Sequence, residues 1–432
     1  EVYPRQTTLS VGNLSITEQP GFLQRSMWGF TATPIGGAGT SGDSLWKIWN
    51  GMGGIPFSNG QGWGAYLPQN LFAEHPEYFA MDSSGQRRPG EWACTSNPAV
   101  RELFASNIVK MIKKGNINPS LTPPDGNRYC LCSKCRAQDD PQATEPSSGT
   151  LRMSNRYADF FDDIGRRVAK VYPDSILSFM AYADYTQPST SNLNLSSNLC
   201  VVLTPMRFCR LHAIGNTNCL SRMQFDEAVK GWSKAASHTA CYMFNGNLAE
   251  NTVPFSMISV WKHDIPYFKE KGLEAVVFET WAGWEICGPH IYLSARLAYS
   301  PKADADKIMD DYFMKFFGSK AGPFMKEYWM ALDQAFVSLK SHSGGFFSLS
   351  LVYTPEFLAK CRGLLDKAAS EAKQDKDYRA RVIMHAEGFK NAVQYRQIFD
   401  ATNRGDFIEA KRVYDDLLAR VGEHIKGGFG SQ

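Results

Sequence analysis

The residues best suited to do chemistry in this chain are acids standing at the ends of apolar runs. Asp125 closes the stretch PSLTPPD at 119–125, and Glu279 directly follows the run AVVF at 275–278. A carboxylate beside such a run is costly unless it is satisfied or used. Asp-Gly is also a strong turn signal, so Asp125 has a plain turn reading beside its chemical one. Two carboxyls facing one bond can cleave a glycosidic linkage. One protonates the leaving oxygen, and the other serves as base, nucleophile or orienter. Further polar and aromatic residues end predicted strands: Arg25 and Trp28, Asn97, Tyr182, Asp184 and Tyr185, Arg207, Tyr242 and Asn245, then Trp281 and Glu285 beyond Glu279. Rings, amides and an arginine are what a sugar site is made from, and such a site needs no catalytic cofactor. Taken singly, the aromatics also read as packing, and Arg25 as the partner of a nearby acid.

A second group is made of cysteines. Cys130, Cys132 and Cys135 follow Asp125 at once, and Cys94 ends another predicted strand. Four thiolates could hold a structural zinc tetrahedrally. One disulfide with free thiols is the alternative. The remaining six cysteines, Cys200, Cys209, Cys219, Cys241, Cys287 and Cys361, read as ordinary buried or loop residues.

These groups need elements to position them. Short apolar runs at 24–30, 91–95, 119–125, 175–185, 199–206, 239–244 and 274–278 read as strands. Helical spacing fills the gaps at 43–52, 98–114, 154–171, 224–237 and 254–271. Asn97 before Pro98 is a cap-and-proline helix start. Strands alternating with helices at this length predict a parallel sheet with helical crossovers. About eight units over residues 1–300 predict a (β/α)8 TIM barrel, with its reactive groups at the C-terminal strand ends. From residue 301 to 432 the apolar spacing is helical throughout, which predicts a C-terminal α-helical domain.

Composition narrows the function classes. The chain has 432 residues, 43% hydrophobic and 21% charged, an ordinary globular balance. A net charge of +3 gives no electrostatic footprint for nucleic acid. No apolar run reaches the roughly 18 residues a membrane span needs. Aromatics make up 13%, many beside glycine in loops, which favours a carbohydrate partner, an oligosaccharide or polysaccharide. The first residues carry no basic-then-apolar export pattern, so the expected setting, secreted, periplasmic or cell-surface, implies a signal that is no longer part of the chain.

The order of motifs resembles that of the bacterial glycoside hydrolase family 163. QRSMWGF is followed by HPEYFAMDSSGQR, CTSNPAV, SLTPPDGNRYCLCSKC, SFMAYADY and VVFETWAGWEICGPHIYLSARLAYSP, over roughly residues 20–320. The resemblance implies a barrel related to the hexosaminidase and α-glucuronidase clans. It also implies an endo-β-N-acetylglucosaminidase-like action on complex N-glycans, with an α-glucuronidase-like reaction or a non-catalytic carbohydrate-binding barrel as the alternatives. Arg25 matches the arginine that holds the terminal sugar in the hexosaminidase clan. An Asp-Glu pair ends the fourth strand there, whereas here Gly126 follows Asp125. Glu279 is therefore expected to supply the second carboxyl. Across a barrel mouth the two would stand well apart, which suits inversion better than retention. The family's N-terminal accessory domain is expected to be absent, because the first strand begins near residue 24.

Overall fold

The computed structural model describes residues 8, 10, 12–28, 41–191, 194–246, 252–280, 283–342 and 349–427. Along the chain run β1 (Gln24–Trp28), α1 (Ser41–Trp49), β2 (Gly53–Gly54), α2 (Pro98–Lys113), α3 (Ser133–Arg136) and α4 (Ser154–Ala169). Then come β3 (Leu177–Ala181), β4 (Leu199–Leu203), α5 (Leu220–Ala235), β5 (His238–Phe244), α6 (Ile258–Glu270), β6 (Ala275–Glu279) and α7 (Trp284–Tyr299). All further elements are helices: α8 (Ala305–Val337), α9 (Leu349–Val352), α10 (Pro355–Glu371), α11 (Lys376–Asn403) and α12 (Phe407–Gly427).

The strands form one sheet in the order β2-β1-β6-β5-β4-β3. Only the β1–β2 pairing is antiparallel; the other four are parallel. In β3 to β6 successive side chains go to opposite faces, and both faces are buried, as in parallel sheets covered by helices. Met180, Cys200, Val202, Ala240, Tyr242 and Val277 fill the inner face around Phe57. Phe179, Val201, Leu203, Cys241, Val276 and Phe278 pack outward in the large core that includes the helices.

The expected closed eight-stranded barrel is not formed among the described residues; the architecture is mixed α/β with a parallel sheet and many helices. Two expected strands are reduced to isolated bridges. Ala93 pairs with Phe79 in a local antiparallel contact away from the sheet. Ser120 makes a single parallel bridge to Ser178. The reason lies in the prolines at 119, 123 and 124, which have no N–H to donate. Leu121 N donates to Ser178 O at 2.7 Å, and the Thr122 hydroxyl replaces the next backbone acceptor, taking Met180 N at 3.0 Å. The segment is thus held beside β3 and delivers Asp125 to the same rim.

α8 is broken at Gly318, which has φ +81°. A side chain there would strike the ring of Tyr378 at 2.6 Å, so glycine is required twice over, by conformation and by space.

Candidate active site

The C-terminal rim of the sheet gathers five of the expected residues. Trp28 ends β1 and lies in register beside Glu279, which ends β6. Tyr242 on β5 donates its hydroxyl to Glu279 Oε2 at 2.6 Å, and its ring stands 6.1 Å from that of Trp28. Beyond β3, the Tyr182 hydroxyl lies 3.4 Å from Asp125 Oδ1 and 2.9 Å from the Met206 sulphur. Asp125 is exposed and Glu279 half-buried. Gly126 has φ +103°, so the Asp-Gly turn read from the sequence is present, and it occurs at the rim.

The carboxylates also act on the tyrosines around them. The Tyr182 phenol is pushed up to about 12, first by burial and then by the Asp125 carboxylate it faces; Glu279 adds to this and Arg207 opposes it. The Tyr242 phenol is pushed well above its ordinary range by burial, then by its bond to Glu279 and that group's charge.

Asp184 stands behind this rim rather than in it. It accepts from Tyr129 Oη at 3.0 Å, Thr150 Oγ1 at 2.9 Å and Arg207 Nη1 at 2.6 Å. Burial would raise its carboxyl, but Arg207 and Thr150, with Tyr129, outweigh that and hold it below the usual carboxylate range. Asp184 thereby anchors Arg207, whose side chain stays 40% exposed. Between Tyr182 and Asp184, Ala183 sits at φ +50°, a left-handed conformation that costs an L-residue roughly 1–2 kcal/mol. This kink lets neighbouring residues serve Asp125 and Arg207 separately.

The other expected site residues lie elsewhere. Arg25 points to the outer face near the start of β1, where Nε donates to Gly51 O at 2.6 Å and Nη1 to Phe22 O at 2.5 Å. Asn97 caps α2, accepting from Ala99 N at 2.9 Å. Tyr185 is buried against Tyr157. Asn245 is buried, accepting from Trp261 Nε1 at 2.7 Å and donating to Ser294 Oγ at 3.2 Å. Glu285 is buried in the first turn of α7, where burial pushes its carboxyl up to about 7. Trp281 lies outside the described residues.

Arg210 carries no sequence signal, since it sits in an irregular loop. Its guanidinium lies 4.4 Å from the centre of the Phe244 ring and donates to Gly246 O at 3.1 Å. Burial lowers it to about 10, with the charge of Glu279 opposing. A cleft of 510 Å³ beside the Asp125 turn is lined by Trp92, Tyr129, Asn127, Arg128, Glu91 and Asp82. Another cavity of 440 Å³, lined by Trp46, Trp284, Tyr292 and Tyr312, shares no residue with the rim.

The cysteines Cys94, Cys130, Cys132 and Cys135 come together as free thiols, their sulphurs all within 4.8 Å of one another. Cys94 Sγ is 3.7 Å from Cys132 Sγ and 3.8 Å from Cys135 Sγ. A tetrahedral ion with metal–sulphur bonds of about 2.3 Å spaces its sulphurs about 3.8 Å apart, whereas a disulfide needs about 2 Å. Met81 N donates to Cys130 Sγ at 3.3 Å, as a backbone amide does toward a thiolate ligand. The cluster could hold a metal ion.

No curated protein matches the sequence. Among solved structures, a GH115 4-O-methyl-α-glucuronidase, BtGH115A, specific for decorated arabinogalactans, aligns with 90% of this chain at 9% identity and a TM-score of 0.51. A family 89 glycoside hydrolase from Clostridium perfringens, in complex with GlcNAc-α-1,4-galactose, aligns with 88% at 11% identity and a TM-score of 0.46. The Thermobaculum terrenum O-GlcNAc hydrolase aligns with 89% at 13% identity and a TM-score of 0.40. The chain spans 51% of the first and 42% of the second, and 84% of the third. The likeness to the GH115 enzyme shows a shared fold. Over residues 1–330 the sequence matches the domain of unknown function DUF4838, and the chain belongs to that family.

Proposed function

We propose that this protein is a glycoside hydrolase in which Asp125 and Glu279 act on one glycosidic bond at the C-terminal rim of the sheet. The observation that carries the reading is that the two carboxylates stand at the same rim, each within hydrogen-bond reach of a tyrosine hydroxyl, Asp125 of Tyr182 and Glu279 of Tyr242. A solved protein of similar fold, the GH115 4-O-methyl-α-glucuronidase, supports the reaction class. Glu279, oriented by Tyr242, serves as the acid toward the leaving oxygen. Asp125 serves as base or orienter on the opposite side. Trp28, 37% exposed at the rim, offers an apolar face for a sugar ring.

The substrate is a complex glycan, and the action resembles that of an endo-β-N-acetylglucosaminidase, following the motif order. One feature favours a second reading, a uronic-acid glycan: Arg207 keeps its guanidinium half-open at the rim, where a carboxylate could pair with it. A secreted, periplasmic or cell-surface setting accords with either substrate. The four-thiol cluster holds a structural zinc that stiffens the loop after Asp125.

The test is a screen of N-glycans and uronic-acid glycans with wild-type protein, Glu279→Gln and Asp125→Asn. Loss of a positioned acid or base should reduce turnover about 10²–10⁴-fold while glycan binding survives. Full activity in both variants would remove these residues from the mechanism. Binding without hydrolysis by the wild type would favour a carbohydrate-binding role.

A further inference from the structure

A second set of soft ligands lies away from the four-thiol cluster, and the sequence gives it no motif. Cys209 and Cys219 lie on the connection between β4 and α5, and His212 lies between them. The fourth member, His342, comes from just beyond α8. One ligand atom from each of the four lies within 4.8 Å of every other. Both cysteines are free thiols, and they and His212 are buried; His342 is exposed.

The hydrogen bonds point the same way. His212 Nε2 lies 2.9 Å from Leu339 O. A carbonyl can only accept, so Nε2 donates to it and Nδ1 is the atom left to bind an ion. That atom lies 3.3 Å from Cys209 Sγ. Bonds of about 2.3 Å to sulphur and about 2.0 Å to nitrogen, at tetrahedral angles, place S and N roughly 3.5 Å apart. Leu211 N donates to Cys209 Sγ at 3.4 Å, the kind of amide contact that supports a thiolate. The His212 and His342 rings stand 5.2 Å apart and tilted by 51°, side by side rather than stacked face to face.

We propose that Cys209, His212, Cys219 and His342 form a Cys₂His₂ site for a divalent zinc ion. Two thiolates and two imidazoles in a closed arrangement suit zinc over calcium or magnesium, which take oxygen ligands. Binding releases the two thiol protons to solvent and changes no oxidation state. The exposed His342 edge is the way in. The ion joins the loop that follows Met206 and Arg207 to the end of α8, so it holds part of the rim against the helices.

Metal content of the full chain, purified reduced and without chelator, tests this independently of any glycosidase activity. The Cys209→Ser/Cys219→Ser variant should carry one zinc fewer per chain than the wild type. The same difference should persist in a Cys135→Ser background, which separates this site from the four-thiol cluster. Because buried cysteine variants can fold poorly, the exposed His342→Ala is the second measurement. It should keep the wild-type circular dichroism yet yield one zinc to a chelator concentration that the wild type withstands. Equal zinc content in the wild type and the double variant would overturn the proposal. So would an intact mass showing Cys209 joined to Cys219 by a disulfide.

Discussion

Glu279 and Tyr242 form a short polar contact at the rim, at 2.6 Å between a phenol and a carboxylate. Hydrogen bonds to charged groups contribute about 1.5–3 kcal/mol net. Removing this one by Tyr242→Phe keeps the ring against Trp28 and Phe244 and deletes only the hydroxyl. If Glu279 is the acid, kcat should fall about 10- to 100-fold with KM nearly unchanged, and the thermal midpoint should fall by no more than a few degrees. A rise in KM alone would instead make Tyr242 a sugar contact. At this scale the place of Glu279 at a strand end was legible, because the carboxylate directly follows the apolar run AVVF. Arg25 leaves the cleft for a reason also present in the sequence. Side chains on a strand alternate faces, so residues 25 and 28 of one strand cannot both face the cleft. Trp28 took the rim, and Arg25 went outside to bind backbone carbonyls. Arg210 was not legible, because loop residues follow no period.

Among the elements, five of the six observed strands matched runs visible in the sequence, and two further predicted runs failed to become strands because of their neighbours. The segment at 119–125 is rich in proline and so cannot sustain a ladder, although it keeps its place beside β3. The segment at 91–95 found an antiparallel partner nearby, through Ala80 N to Trp92 O and Cys94 N to Tyr78 O. The start of α7 shows how burial changes chemistry. Glu285 was expected to face sugar; instead its carboxyl is enclosed, and burial raises it from 4.5 to about 7. The unfolded chain ionises near the lower value and the folded one near the higher. Between them the unfolded state has fewer bound protons, so stability falls as pH rises. The full contribution is present below about 4.5 and is lost as pH passes 7, on the order of 3 kcal/mol. His290 and His385, each lowered to about 4 by burial, act with the opposite sign on the acid side. The comparison must therefore be made against Glu285→Gln. Urea midpoints at pH 5 and pH 8 should show the glutamine variant gaining on the wild type as pH rises. Parallel pH curves would mean that Glu285 is ionised in the folded protein.

In the whole molecule, the helices after residue 300 share one apolar core with the sheet, reaching from Phe22 and Phe278 to Trp329 and Phe389. One join between them is where α11 crosses the start of α7. His385 Nδ1 donates to Glu285 O at 3.0 Å, and a side chain added at Gly388 would meet that same oxygen at 2.8 Å and Ile286 Cγ2 at 3.0 Å. Backbone cannot yield as a flexible side chain does, so Gly388→Ala must push α11 away from α7. Overpacking of this kind costs about 1–3 kcal/mol, more than the roughly 0.5–1 kcal/mol that alanine gains in a helix. Gly363 on α10 is the control, because a side chain there would meet nothing within 4 Å. The same substitution should lower the thermal midpoint by several degrees at Gly388 and raise it slightly at Gly363. Because Glu285 follows the Glu279 strand end by six residues, the strain at Gly388 should also reach the rim. Gly388→Ala should therefore lose glycan turnover at temperatures where it is still folded, while Gly363→Ala keeps it. Equal midpoints for both variants would mean that α11 sits on α7 loosely enough to absorb a methyl group, and that the helices do not brace the rim.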